Sequence, residues 1–339
     1  MADQGMTQHH GLLPDSFRRR APGVGLSLVV AAVAFGLQRA SGIAALSPLV
    51  LAMLLGILFR TVIGKPAGTH EGIAFTLRPI LRSAIVMLGF QITLTEVAGL
   101  GWSVSLAVVA TLVATLVFAK TVGRWMGVDA KLAELIGAGS AICGASAIIA
   151  CNTVTRGSDE DVAYAMACVT LFGTAAMLLS PVVAGLIGLT PDVYGLWVGT
   201  SIHEVAQVIG AAFALGDQAG HAGTVAKLGR VMMLAPVILM LGAMARRGAS
   251  GSETKVPVPW FAFGFVGVML LNSVVSLPQP AQHAVVTLTS FLMTMALAAM
   301  GLETDLRRLR LKGMRPLILG ALSWLFIAGF GLMAVLLAV

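Results

Sequence analysis

The run VYGLWVGTSIHEVAQVIGAAFALG, residues 193 to 216, carries an ionisable pair, His203 and Glu204, at the centre of 24 otherwise largely apolar residues. A stretch of that length forms a helix long enough to cross the ~30 Å hydrocarbon core of a bilayer. Charge at that depth is costly even after snorkelling and water defects, so an intramembrane ionisable residue is by default a candidate for a transport site. The next apolar stretch carries Lys227 and Arg230. From Val231 to Ala245 it offers only 15 apolar residues, about 22 Å of helix, which draws Arg230 below the membrane surface.

Of the 339 residues, 58% are hydrophobic and 11% charged, with a mean hydropathy of +0.93; soluble domains carry about 25% charged residues. The chain therefore reads as a polytopic membrane protein with no room for a sizeable soluble domain. Its net charge of +7 is read as basic loops held on the cytoplasmic side, and no nucleic-acid partner is expected. Cys143, Cys151 and Cys168 lie in or beside apolar segments. Their spacing fits neither a zinc site nor a disulfide framework, and they read as small packing residues.

Eleven apolar stretches can be read between charged or Pro/Gly-rich punctuation, at about 22–40, 46–63, 77–95, 102–120, 132–152, 161–187, 193–216, 222–245, 259–277, 283–303 and 316–337. They predict an all-α fold with residues 1–21 as a cytoplasmic tail and 22–339 as one transmembrane domain. With the N-terminus inside, 18 of the 22 Lys and Arg residues fall on the cytoplasmic side, as short cytoplasmic loops require. Only Arg39 and Arg156 fall outside, Lys227 and Arg230 stay within a span, and the C-terminus lies outside.

The fifth stretch contains GAGSAICGASAIIACN, residues 137 to 152. Glycine costs ~1 kcal/mol relative to alanine inside a helix, so this cluster of Gly and Ser predicts a break. The half-helix N-termini created by a break attract anions. The competing reading is close helix packing through small residues. Beyond it, Ser158-Asp159-Glu160-Asp161 reads as a capped helix start. Two echoes suggest internal repetition: Gly89-Phe90-Gln91-Ile92-Thr93-Leu94 with Gly301-Leu302-Glu303-Thr304-Asp305-Leu306, and Gly139-Ser140-Ala141-Ile142 with Gly199-Thr200-Ser201-Ile202. Eleven spans divide as one extra N-terminal helix plus two inverted five-helix repeats, about 46–187 and 193–337. In that division the fifth and tenth spans are equivalent, and substrate binds where broken helices meet at the midplane.

The segments SPLVLAMLLGILFR (47–60), LRSAIVMLGFQITL (81–94), GAGSAICGASAI (137–148), VGTSIHEVAQVIGAA (198–212) and AKLGRVMMLAP (226–236) resemble the YeiH-type sulfate-exporter family of bacterial membrane proteins. That family is part of the superfamily that includes the bile-acid/sodium symporters. The resemblance covers nearly the whole chain, and Ser140 to Pro181 is similar to the crossing helix and following helix of those symporters. It implies an inverted-repeat fold with a panel part and a core part, in the bacterial inner membrane.

Arg230 and Lys227 are three residues apart and share a helix face. A cationic face within the membrane suits a small dianion such as sulfate, and both residues are candidate substrate ligands; a permanent structural pair with Glu204 is the other reading. Glu204 is a candidate to take up and release a proton in each cycle, and His203 is a second candidate because an unperturbed imidazole titrates near physiological pH. Thr200, Ser201 and Gln207 add uncharged donors nearby, and Ser140, Cys143, Ser146 and Asn152 form the corresponding polar set on the fifth span. Together they would cradle an oxyanion with freed backbone N–H groups.

The sequence His203-Glu204-Val205-Ala206-Gln207 stands one residue from the H-E-x-x-H zinc protease motif, but Gln207 replaces the second histidine and is a poor zinc ligand. The expected function is a secondary active transporter of sulfate or a related sulfonate or organic anion, coupled to protons or running as an exchanger. Sodium-coupled organic anion symport and an anion channel are the alternatives. No cofactor or metal is expected. The partners are the small anion, a proton or sodium ion and the lipid bilayer, with a homodimer left open.

Overall fold

The computed structural model describes residues 15–41, 47–99, 101–246, 260–275, 277–304 and 313–339, and among them the regular structure is helical. In chain order the elements that organise the molecule are α1 (Asp15–Ser41), α2 (Pro48–Val62), α3 (His70–Gln91), α4 (Gly101–Trp125), α5 (Ala130–Ala141) and α6 (Ala145–Thr155). They are followed by α7 (Asp159–Ile187), α8 (Pro191–Ser201), α9 (Val205–Phe213), α10 (Asp217–Leu241), α11 (Trp260–Val274), α12 (Gln279–Glu303) and α13 (Met314–Ala338). Among the described residues, seven of these helices are long and apolar enough to cross a membrane, and α2 and α11 are apolar but shorter. Pro79 lacks the N–H that would continue an α-helical ladder, and α3 passes it through a π-helical turn, Thr76–Ile80.

The fifth stretch breaks at the predicted place, Ile142 to Gly144, but it does not cross. The arms α5 and α6 fold back on each other. Lys131 Nζ donates to the Arg156 carbonyl at 2.9 Å and Thr155 Oγ1 donates to Glu134 at 2.5 Å, so the beginning of one arm lies beside the end of the other. A segment whose two ends lie together cannot span a bilayer. Gly144 makes the reversal, with φ +70°, in a region of backbone space that glycine alone occupies freely.

The seventh stretch, expected as one membrane helix, is also a hairpin. It breaks at Ile202 to Glu204, where the backbone is extended at Ile202 and Glu204. Tyr194 near the start of α8 donates from its hydroxyl to the Ala211 carbonyl near the end of α9 at 3.0 Å. The arms of the two hairpins hold 12, 11, 11 and 9 residues. At ~1.5 Å per residue each is roughly half the ~30 Å hydrocarbon thickness. The expected equivalence of the fifth and tenth spans fails on the same ground: the tenth is α12, an unbroken helix of 25 residues.

Two long helices bind the hairpins together. α7 starts from a capping box, with Ser158 Oγ accepting from the Asp161 N–H and Asp161 accepting from the Ser158 N–H. Its start adjoins the base of the α5–α6 hairpin and its end leads into α8, so the hairpins enter from opposite ends of a 29-residue helix. α10 begins beside Phe213, which Gly220 touches, and then runs along α8 through Gly195, Gly199 and Gly223, whose bare backbones meet. Close backbone approach through small residues is the usual glue between helices in lipid. α10 is interrupted at Met233, and its remainder continues beside α6. Around this core, α2 crosses α12 at Gly56 and Gly301, α1 crosses α3 at Gly23 and Gly72, and α4 pairs with α13, where Phe118 stacks on Phe326 at 4.1 Å.

The hairpin geometry makes a direct prediction. In a background without Cys143, Cys151 and Cys168, single cysteines at Lys131 and Glu160 will react with an impermeant thiol reagent from the same side of the membrane, and cysteines at Asp192 and Gln218 from the other. Labelling of positions 131 and 160 from opposite sides would restore a crossing helix.

A buried cationic junction between two hairpin tips as the candidate functional site

The first arms α5 and α8 end with their C-termini facing each other at the hairpin tips. The last carbonyls of a helix have no intrahelical partner and carry the negative end of the helix dipole. Lys227 and Arg230, both 0% exposed, project from α10 into this junction. Arg230 Nη2 donates to Ser140 O at 2.7 Å and Nε to Ala141 O at 3.0 Å, while Nη1 donates to Thr200 O at 2.7 Å, Ile202 O at 3.1 Å and Gly199 O at 3.3 Å. Lys227 Nζ donates to Ile142 O at 2.9 Å, to Ile202 O at 2.8 Å and to His203 O. One face of one helix thus clasps both tips through main-chain carbonyls, and two positive charges oppose two helix C-termini.

The second arms start from the other side of each break. The Glu204 side chain lies against Gly144, where a Cβ would run into it, and its carboxylate faces the Ala145 N–H at the start of α6. Thr170 Oγ1 of α7 approaches the same carboxylate at 3.5 Å. A carboxylate at a helix N-terminus meets unpaired N–H groups and the positive dipole end. Glu204 of one hairpin therefore caps the second arm of the other. His203, beside it, is 0% exposed, and among the described residues neither ring nitrogen has a hydrogen-bond partner.

The remaining polar candidates separate into two groups. Gln207 belongs to the junction: its Nε2 donates to Thr170 O at 3.2 Å, and its Oε1 accepts from the Glu204 N–H at 3.2 Å. Cys143 sits buried at the first tip, and Ser140 contributes its carbonyl. Thr200 and Ser201 are at the second tip, but their hydroxyls donate back to carbonyls of their own helix, Leu196 and Trp197 for the first and Trp197 for the second. Asn152 lies at the opposite end of its hairpin, where its amide brackets Gly157 and shapes the base turn. Ser146 is exposed. The expected single polar cradle is therefore not assembled, because a residue two turns from the tip lies at the base of a half-length arm. Nor does the zinc-motif spacing form, since α9 begins at Val205 and leaves His203 outside the helix whose face it would have to share with Gln207.

Sequence reasoning missed Gly144 and Thr170. Gly144 stood within the flagged Gly/Ser run, visible but given no role. Thr170 carries no local signal, because a threonine in an apolar helix usually bonds its own backbone.

Replacing Arg230 by Met leaves the carbonyls of Ser140, Ala141 and Thr200 buried without their donor. Thermal melting of the purified protein in detergent should register a destabilisation, at about 1–3 kcal/mol for each buried carbonyl left without a donor. Arg230→Lys should relieve only part of it, because an ammonium has three donors and cannot replace the five hydrogen bonds of the guanidinium. Unchanged melting in Arg230→Met would remove the clasp from the stability of the fold.

A family model described as conserved hypothetical protein 698 matches residues 22–320. A UPF0324 membrane protein of Pseudomonas aeruginosa is 39% identical over 326 residues, covering 91% of this chain and 92% of its own. The UPF0324 inner membrane protein YeiH of Escherichia coli K12 is 37% identical over 324 residues, and that of Salmonella typhimurium 38% over 320, each with the same coverage. No solved structure matches the chain. Identity at this level over nine-tenths of both chains, with helices long enough to cross a membrane, leads to one conclusion: the chain belongs to the conserved hypothetical protein 698 family of UPF0324 membrane proteins.

Proposed function

We propose that this protein is a secondary active transporter of a small anion, sulfate or a related sulfonate or organic anion, working by alternating access in the bacterial inner membrane. The observation that carries this reading is the meeting of two half-length hairpins, entering from opposite ends of α7, at the fully buried pair Lys227 and Arg230. Irregular backbone at membrane depth is tolerated where it is buried in protein or lines a cavity, and transporters bind substrate at such breaks. The two cations set a positive potential at the junction, and the N–H groups at the start of α6 and α9, with Ser146 and Cys143 beside the first tip, become donors to an oxyanion when the Glu204 carboxylate that caps them is protonated. Glu204 carries the coupling proton, with His203 as its neighbour. Proton coupling is favoured over sodium coupling because the carbonyls that would ligate a sodium ion at the tips are held by Lys227 and Arg230.

The same proposal includes topology. With two stretches as hairpins and the N-terminus in the cytoplasm, Arg156 moves to the side of Lys131, so 19 of the 22 basic residues become cytoplasmic and only Arg39 lies outside. The C-terminus remains outside. The α5–α6 hairpin with α7 and the α8–α9 hairpin with α10 then form two inverted units, whose order along the chain does not follow the expected division at about 46–187 and 193–337. One echo lies at the two hairpin tips, and the other lies outside these units, at the ends of α3 and α12.

Uptake of radiolabelled sulfate into liposomes holding the purified protein, with and without an imposed pH gradient, tests the function. Saturable, gradient-dependent uptake is expected. Glu204→Gln should retain anion binding and lose the pH dependence. Uptake in that variant that still follows pH would remove the coupling role, and absence of saturable flux for sulfate, sulfonates and carboxylates alike would remove the transport reading.

A further inference from the structure

A cavity of about 100 Å³ opens on Glu204 and is lined also by Ala145, Thr170, Met300, Glu303 and Thr304. Two carboxylates from distant parts of the chain therefore share one small space. The space is large enough to admit water between them. Glu303 stands at its mouth with a side chain 35% exposed, at the end of α12. It pairs with Lys65, 238 positions away in the chain, and Lys65 in turn contacts His70 Nδ1 at 2.8 Å. Glu204, half-buried, lies against Gly144 and Ala145, with His203 next to it in the chain and Lys227 of α10 and Cys143 of the first tip as further ionisable neighbours. The lining from α7, including Met166 and Thr170, adds no further charge.

We propose that Glu303 is a proton-relay residue, passing protons between the aqueous face that carries Lys65 and the half-buried carboxylate of Glu204. The proposal rests on Glu204 as the coupling group. A proton from water on that face binds the Glu303 carboxylate and breaks its pairing with Lys65, which keeps His70 as a partner. The proton then leaves Glu303 along water in the cavity and binds the Glu204 carboxylate. Glu303 becomes an anion again and re-forms the ion pair. One proton moves from water to Glu204, no electrons are transferred, and the reverse sequence releases it. The ion pair at the mouth thus stands as the resting state of the relay.

The test follows proton uptake by infrared difference spectroscopy after a pH jump, with no substrate present. The carboxyl band of Glu204 is identified as the band lost in Glu204→Gln. In Glu303→Gln the rate at which that band appears should fall by an order of magnitude or more, and Glu303→Asp should restore most of it. Lys65→Met separates a relay from a clamp, because it removes the ion pair but leaves the carboxylate, and it should keep fast uptake. Parent-like rates in Glu303→Gln, or equal slowing in Glu303→Gln and Lys65→Met, would overturn the relay. A Glu204 band that never titrates would overturn the relay together with the coupling role. A titrating band without anion flux in liposomes would sink the transport reading alone and leave the relay standing.

Discussion

Two helix C-termini brought face to face inside a membrane would expose unpaired carbonyls and two negative dipole ends to a medium without water. Lys227 and Arg230 resolve this by placing two positive charges and eight hydrogen bonds on those carbonyls. The compensation works in both directions. A buried cation without partners costs several kcal/mol, and a buried carbonyl without a donor about 1–3 kcal/mol. The position of each hairpin tip, the separation of α5 from α8 and the register of α10 against both all depend on this one clasp.

The clasp also sorts the chemistry at the junction. With the first arms' C-termini held by cations, the second arms present their N-termini to the same region, and Glu204 reaches across from one hairpin to cap the other. A carboxylate in that position bonds to N–H groups that an anionic substrate would also seek. Glycine makes the contact feasible, since a side chain at Gly144 would occupy the space of the Glu204 carboxylate. The small residues along α8 and α10 serve the same end by letting α10 approach closely enough for two long cationic side chains to reach two tips at once.

Much of the site was legible because charge in an apolar run is rare and costly: His203, Glu204, Lys227 and Arg230 stand out from composition alone, and the structure gathers all four at one junction. The break in the fifth stretch was also legible, from clustered Gly and Ser. Hydropathy could not tell a helix that crosses from a pair of half-length arms, because both give about twenty apolar residues and differ only in whether the chain reverses at the break. That one ambiguity accounts for the misplacement of Asn152, which moves from the site to the base of a hairpin, and for the expected pairing of the fifth stretch with the tenth. The hydroxyls of Thr200 and Ser201 were misjudged for a local reason, since Ser and Thr in helices bond readily to carbonyls three or four residues back.

The sequence by itself determined that the chain is helical and built for a bilayer, which residues carry charge into it, and where one helix must break. These are properties of local composition, set by the cost of charge and of exposed backbone in hydrocarbon. Tertiary structure alone decided that the fifth and seventh stretches reverse at their breaks, that the cations bond to carbonyls from both hairpins, and that Glu303 shares a cavity with Glu204. The cation–carbonyl bonds alone join groups up to 90 positions apart, and such contacts are specified by how helices pack and not by any single stretch.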